Sequence, residues 1–595
     1  MNQEEKQQVL GYIEKFSGVF NSMMMEVTKR LAEQGAEPNK NPFQYDGYDG
    51  NEQASSVKVD PKKFVKQQMD FLEKQQRLWE SASKAFMGEP VEPVITAGDG
   101  DKRFDDGDWH GNPGFSYIKQ AYLLNAEYMH QLVDVLEFED KKVAGQVKFY
   151  TRQFINSVAP TNYVLTNPEV CRELLSTQGE NLAKGIDNFM RDLENSPAEA
   201  FKITQVDSSA FALGENLANT PGKVVFENEL IQLIQYTPTS AKVKQVPLLI
   251  VPPFINKYYI LDLDEKKSMV RWMVEQGYTV FIISWVNPDE SLSTLSFDGY
   301  VSKGVVASLD AVENITKSSS INAAGYCVGG TLLGVSQAYL SAIGDKRIKS
   351  LTLFTTLFDF SEPGEVGNYI SHHIVPLVEQ SIGKKGYFDG RILALSFSLL
   401  RENNMFWSYF IDNYLKGKDP TPFDILYWNS DSTNIPADAF LYYLKNMYLG
   451  NKLIEKGGIT ILGHKIDLDD IKVPCYCLAA QADHIVLWPS AYASARQLNT
   501  DVRFVMTESG HVAGVVNPAA RGKYPHWVNE AMPGTHQEWL EGAHQVEGSW
   551  WNDWNSWLAE RSGNEKVAVK KAGSKHYAII EDAPGAYVKR RLSES

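Results

Sequence analysis

Cysteine is scarce in this chain, with four in 595 residues. That excludes a disulfide framework and suits a reducing, cytoplasmic compartment. Long apolar runs are missing too. No stretch reaches about 18 uncharged apolar residues, so no membrane span is expected. The opening MNQEEKQQVLGYIEKF is acidic and amphipathic, without the basic start and apolar core of a signal peptide. Positive charge is in deficit: 58 Lys and Arg against 74 Asp and Glu leave a formal net charge of −16. Nucleic acid and anionic membranes are therefore disfavoured as general partners. The phosphate-cradling patterns G-x-x-x-x-G-K-[ST] and G-x-G-x-x-G at a strand–helix junction are absent. Cys475 and Cys477 have no second Cys/His pair at zinc spacing, so no metal is expected. They are read as one inward and one outward residue of a strand.

What is present is globular: 43% hydrophobic and 22% charged residues. The 13 Trp, 28 Tyr and 28 Phe call for an apolar cleft or interface. The length implies more than one domain, since single cores stop growing near about 250–300 residues. Residues 1–200 read as a mainly helical domain, with apolar residues three and four apart in Phe64–Gln75 and Tyr117–Leu136. A Gly/Asp-rich loop, TAGDGDKRFDDGDWHGNPG, lies between them. From 201 to 595 strand-like runs alternate with helical patterns. The strand candidates are Val246–Val251, Tyr278–Val286, INAAGYC, Leu351–Thr356, Val473–Ala480 and Val502–Thr507. The helical ones include Met269–Gln276, stopped by Gly277, and Val301–Thr316. Such alternation implies an α/β class with a parallel sheet covered on both faces.

Residues 325–330 read GYCVGG, between the strand-like INAA and the helical TLLGVSQAYLSAI. Strand, tight turn and helix are the setting of a nucleophile elbow, here with cysteine where serine is usual. Gly325 and Gly329 allow strand and helix to approach closely. A helix N-terminus favours a thiolate at Cys327. The competing reading of Cys327 is a small buried residue. A nucleophile needs a base, and the base an orienting carboxylate. Asp483 follows the strand VPCYCLAA, and His511 follows VRFVMT. Cys327, Asp483, His511 is the chain order of an α/β-hydrolase triad. His484, His372, His373 and the acid Asp289 are rivals. For an oxyanion the expected donors are the backbone N–H of Val328 and one from the loop PPFINKYY. Pro252 and Pro253 have no N–H, leaving Phe254 and Ile255, of which Ile255 is favoured.

Several segments in one order extend the motif. They are SVAPTNYVLTNPE, TPGKVV, VPPFINKYYILDL, GYCVGG, YWNSDSTNIP, DHIVLW and SGHVAGVVNP. Together they resemble the polyhydroxyalkanoate synthases of the single-polypeptide kind (class I, poly(3-hydroxyalkanoate) polymerases). Many members carry a proline inside the segment that here reads DHIVLW, whereas Pro489 follows it. The resemblance implies an acyltransferase that polymerises (R)-3-hydroxyacyl-CoA into polyester with release of CoA, through a cysteine thioester. Cys327 would be the nucleophile, His511 the base and Asp483 its partner. No cofactor is implied, because coenzyme A arrives with the substrate and leaves as product. It also implies a homodimer at the surface of polyester granules in the cytoplasm, with granule-associated proteins as further partners.

The chemistry accounts for sulfur. Acyl exchange between CoA and cysteine is thioester to thioester, close to thermoneutral, and transfer to a hydroxyl then runs downhill. A serine ester would forfeit that driving force. Such a site must favour hydroxyl over water and should be shielded. The aromatic-rich insert at about 361–471 is the expected cap of the catalytic domain. A cysteine-type esterase or polyester depolymerase on the same fold is the competing activity. A non-enzymatic granule protein is a third reading, against which the complete triad argues.

Overall fold

The structure is a computed structural model, and it describes residues 57–196, 201–383 and 385–592. The amphipathic opening stretch lies outside the described residues. The chain divides into two compact units, one up to Asn188 together with Glu402–Lys418, the other Phe189–Arg401 together with Asp419 onward.

The first unit is helical. Helices α1 (Pro61–Phe86), α2 (Pro113–Val135) and α3 (Lys141–Ser157) carry it. Proline opens α1 and α2, where its missing N–H costs nothing. The preceding Asp60 and Asn112 side chains accept the free amides of the first turn. Phe71 stacks on Tyr128 at 4.2 Å and Trp79 meets Tyr117 edge-on at 6.2 Å. The paired numbers run in opposite directions, so the helices are antiparallel. Glu402, from the segment expected in the cap, binds Arg152, Gln153 and Asn156 of α3 at 3.1, 3.0 and 2.6 Å.

The second unit is built on an eleven-stranded sheet. In chain order its strands are β1 (Gly222–Glu227), β2 (Ile231–Tyr236), β3 (Leu248–Val251), β4 (Val280–Trp285), β5 (Ile321–Tyr326) and β6 (Ile348–Phe354). Then come β7 (Cys475–Ala480), β8 (Val502–Thr507), β9 (His526–Val528), β10 (His544–Val546) and β11 (Glu581–Asp582). The spatial order is β10-β9-β8-β7-β6-β5-β3-β4-β2-β1-β11. The six strands from β4 to β8 in that order run parallel. They are the six that the apolar runs predict. The five flanking strands pair antiparallel and are short or lie outside that pattern.

Parity along the strands assigns the faces. Leu249, Val251, Ala323, Leu351, Leu353, Phe504 and Met506 pack on one side, with α5 (Ala307–Thr316), α6 (Val328–Ala342) and α7 (Trp488–Arg496). Their neighbours Leu248, Ile250, Ala324, Phe354 and Val505 pack on the other with α4 (Met269–Glu275) and α8 (Trp551–Glu560). Each of the six parallel strands is thus covered on both faces, which is why its sequence reads as a mainly apolar run. Cys475 and Cys477 do not face opposite ways as expected. Residues two apart in a strand share a face, and both sit in the first cluster. Burial pushes the Cys477 thiol up to about 12, which leaves it inert.

Candidate active site

Strand β5 delivers the chain to Cys327, whose φ of 54° and ψ of −127° precede α6 directly. A side chain rarely adopts such angles, and they cost of order 1–3 kcal/mol. The surroundings enforce them. The Cys327 N–H donates to the carbonyl of Phe354 at 2.9 Å. A Cβ on Gly325 would lie 2.6 Å from the Gly330 Cα, and one on Gly329 2.4 Å from the Val251 oxygen. Glycine here lets β3, β5 and α6 converge. The result is a half-buried thiol at a helix N-terminus.

His511 and Asp483 arrive from the loops after β8 and β7. Asp483 is buried, and its Oδ1 accepts the N–H groups of Ile485 and Val486 at 2.8 and 2.9 Å. Its Oδ2 stands 2.6 Å from Nδ1 of His511. The imidazole also lies within the electrostatic reach of the Cys327 thiol. The three residues read from the sequence therefore meet as one array. Burial alone would lower the pKa of His511, but the charges of Asp483 and Cys327, with the hydrogen bond to Asp483, push it up to about 10. The shift favours the imidazolium form of His511.

That shift carries a stability consequence. A histidine whose folded pKa exceeds its unfolded value near 6.5 stabilises the fold fully below about 6.5. The contribution fades as pH rises toward about 10. The urea midpoint should fall from pH 6 to pH 9.5, and His511→Gln should flatten that slope. Parallel slopes for the two proteins would count against the coupling.

The rivals lie elsewhere. His372 and His373 are exposed. Asp289 is exposed and caps a turn through the N–H and hydroxyl of Ser291 at 2.9 and 2.5 Å. Burial and the neighbouring Arg401 push His484 down to about 4, so it stays neutral. Pro489 falls in the first turn of α7, where a helix accepts proline.

Three tyrosines complete the surroundings, and none belongs to the triad motif itself. Tyr326 donates its hydroxyl to the carbonyl of His511 at 3.0 Å and stacks on the imidazole at 5.4 Å. Its place inside GYCVGG was a usable signal. Tyr443 and Tyr448 come from the aromatic-rich insert. Burial raises both phenols, and the charge of Cys327 raises them further. Thr331, in the first turn of α6, lies near the Tyr443 phenol. No sequence spacing links them to the elbow.

The loop after β3 passes close to the same turn. Val328 is the first residue of α6, so its N–H has no acceptor within the helix. Trp285 Nε1 donates to the Pro252 carbonyl at 2.9 Å, and Trp428 Nε1 to that of Lys257 at 2.7 Å. Asn256 pairs with Ser432 in an antiparallel bridge. Phe254 and Ile255 lie on this tethered span.

Sheet order, two-sided helix cover and the strand–turn–helix at Cys327 define an α/β-hydrolase fold, and the family model described as "alpha/beta hydrolase fold" matches residues 247–518. A second, "Poly-beta-hydroxybutyrate polymerase (PhaC) N-terminus", matches residues 100–273. The chain is 41% identical over 532 residues to "Poly(3-hydroxyalkanoate) polymerase subunit PhaC" of Rhizobium meliloti, covering 89% of this chain and 86% of that one. It is 40% identical over 550 residues to the protein of the same name from Cupriavidus necator, covering 92% and 91%. The chain belongs to the poly(3-hydroxyalkanoate) polymerase family. No helix among the described residues is long and apolar enough to cross a membrane.

Proposed function

We propose that this chain polymerises (R)-3-hydroxyacyl-CoA into a polyester and releases CoA, with Cys327 carrying the acyl group as a thioester. The observation that carries this reading is the buried Asp483–His511 pair close to a thiol on a strained elbow, in a chain of this family.

The thiolate of Cys327 attacks the thioester carbonyl, and the N–H groups of Val328 and Ile255 hold the oxyanion. The C–S bond to CoA breaks, and His511 gives its proton to the departing CoA thiolate. Now neutral, His511 takes the proton of a 3-hydroxyl, whose oxygen attacks a second thioester. An oxoester forms and a thiol is released. The partly buried aromatic residues Tyr443 and Tyr448 support a cap that limits water. No cofactor beyond the CoA of the substrate enters these steps. A homodimer at the cytoplasmic granule surface belongs to the same reading, supported by the family alone.

The test is purified protein with (R)-3-hydroxybutyryl-CoA and longer homologues, following CoA release and the fate of the acyl group. Acyl groups retained in polymer are expected. Free hydroxy acid in proportion to CoA would make the protein an esterase.

A further inference from the structure

Lys257 ends the span that holds the oxyanion donor, and it is only 3% exposed. Burying an ammonium is costly, so its partners matter. The Nζ donates to the backbone carbonyl of Arg590 at 2.6 Å. The same carbonyl accepts from Nδ2 of Asn287, in the loop after β4, at 3.5 Å. Asn287 Oδ1 in turn accepts the N–H of Asn434 at 3.0 Å. Asn434 lies two residues beyond Ser432, which pairs with Asn256. One carbonyl, some 330 residues from Lys257 along the chain, thus binds two loops directly and a third through Asn287.

That carbonyl is held firmly. Strand β11 pairs with β1, Glu581 opposite Val224 and Asp582 opposite Lys223. The Tyr587 N–H donates to Gln232 of β2 at 3.0 Å, and its hydroxyl to the carbonyl of Asn228 at 2.7 Å. The Arg590 N–H returns to the Tyr587 carbonyl at 3.2 Å, and the Arg591 guanidinium lies 4.7 Å over the Tyr427 ring. The anchoring runs from a sheet edge through a tight turn to the loop.

We propose that residues 581–591 act as a clasp that positions the loop carrying Ile255, with Lys257 as the positioning residue and the Arg590 carbonyl as its anchor. This rests on the polymerase reading above. Methionine would keep most of the packing of the lysine stem, but the buried Asp431 nearby would lose a neighbouring cation. What the ammonium adds is direction: it fixes the end of a loop whose amide must meet an oxyanion within tenths of an ångström. A displacement of about 1 Å there costs on the order of 100-fold in rate.

The test measures single-turnover acylation by a labelled saturated acyl-CoA in the full chain, in Lys257→Met, in a chain ending at Lys589, and in the two changes combined. Each single change should slow acylation by about 10- to 100-fold while KM moves less than about threefold and Tm stays within a few degrees. Because both remove the same bond, the combined variant should be no slower than the slower single one. Losses that multiply, losses that follow Tm, or acylation at the full-chain rate in both singles would overturn the clasp. If the unaltered chain takes up no acyl group at all, the polymerase reading fails instead.

Discussion

Cys327→Ala is expected to abolish CoA release and polymer formation, a loss of at least about 10⁴-fold, while the protein stays folded. The side chain is half-buried, and alanine removes one sulfur without adding volume. It also keeps the backbone hydrogen bond to Phe354. Without the thiolate no acyl group can be carried, because the remaining parts of the array can only polarise or move protons. Cys327→Ser should fail differently. The hydroxyl can still meet His511, but its acyl product would be an oxoester, and onward transfer to a hydroxyl would no longer run downhill. At most one CoA per site should appear. Circular dichroism and Tm check the fold, and CoA release with mass spectrometry of the protein checks the chemistry. Appreciable polymer from the purified alanine variant would remove Cys327 from its role. Steady turnover by the serine variant would point to hydrolysis and hence to an esterase.

Much of this site is legible in the sequence because the chemistry sits at the ends of strands. Parallel strands buried on both faces have unbroken apolar sequences, so their carboxyl ends can be counted. GYCVGG, the Asp483 loop and the His511 loop each follow such a run. The flanking strands escape this logic. The run Ile231–Tyr236 is wholly buried, yet its glutamines break the apolar pattern: Gln232 is used to bind Glu227, Glu581 and Tyr587. The 402–418 segment reads as part of the insert, but its Glu402 is satisfied by α3. Pairings of that range leave no periodic trace. The same holds for Tyr443, Tyr448 and Lys257, whose partners are distant in sequence.

Asp483→Asn should separate the two halves of the reaction. The native carboxylate has divided duties: Oδ1 accepts two backbone N–H groups and Oδ2 meets Nδ1 of His511 at 2.6 Å. An asparagine would keep its oxygen on the two amides and turn its NH₂ toward Nδ1. That NH₂ can only donate, so Nδ1 must become an acceptor and the proton moves to the other nitrogen. The imidazole is then in the wrong tautomer to take a proton, and its cationic form loses the adjacent charge that stabilises it. Acylation tolerates this loss. A thiol, with a reference pKa of about 8.5, needs far less help from a base than an alcohol does. A substrate hydroxyl is a far weaker acid and needs the base. Elongation should therefore slow by about 10³- to 10⁴-fold, and first acylation by far less. The trace expected from rapid mixing with the hydroxyacyl substrate is an initial release near one CoA per site, then a slow steady phase. A saturated acyl-CoA should give the initial release alone. Raising the pH toward 8.5 should restore acylation in the variant and leave elongation slow. His511→Ala should impair both steps, because it removes the base together with the cation that pairs the thiolate. Equal slowing of acylation and elongation in Asp483→Asn would refute this division and would mean that one proton transfer limits both.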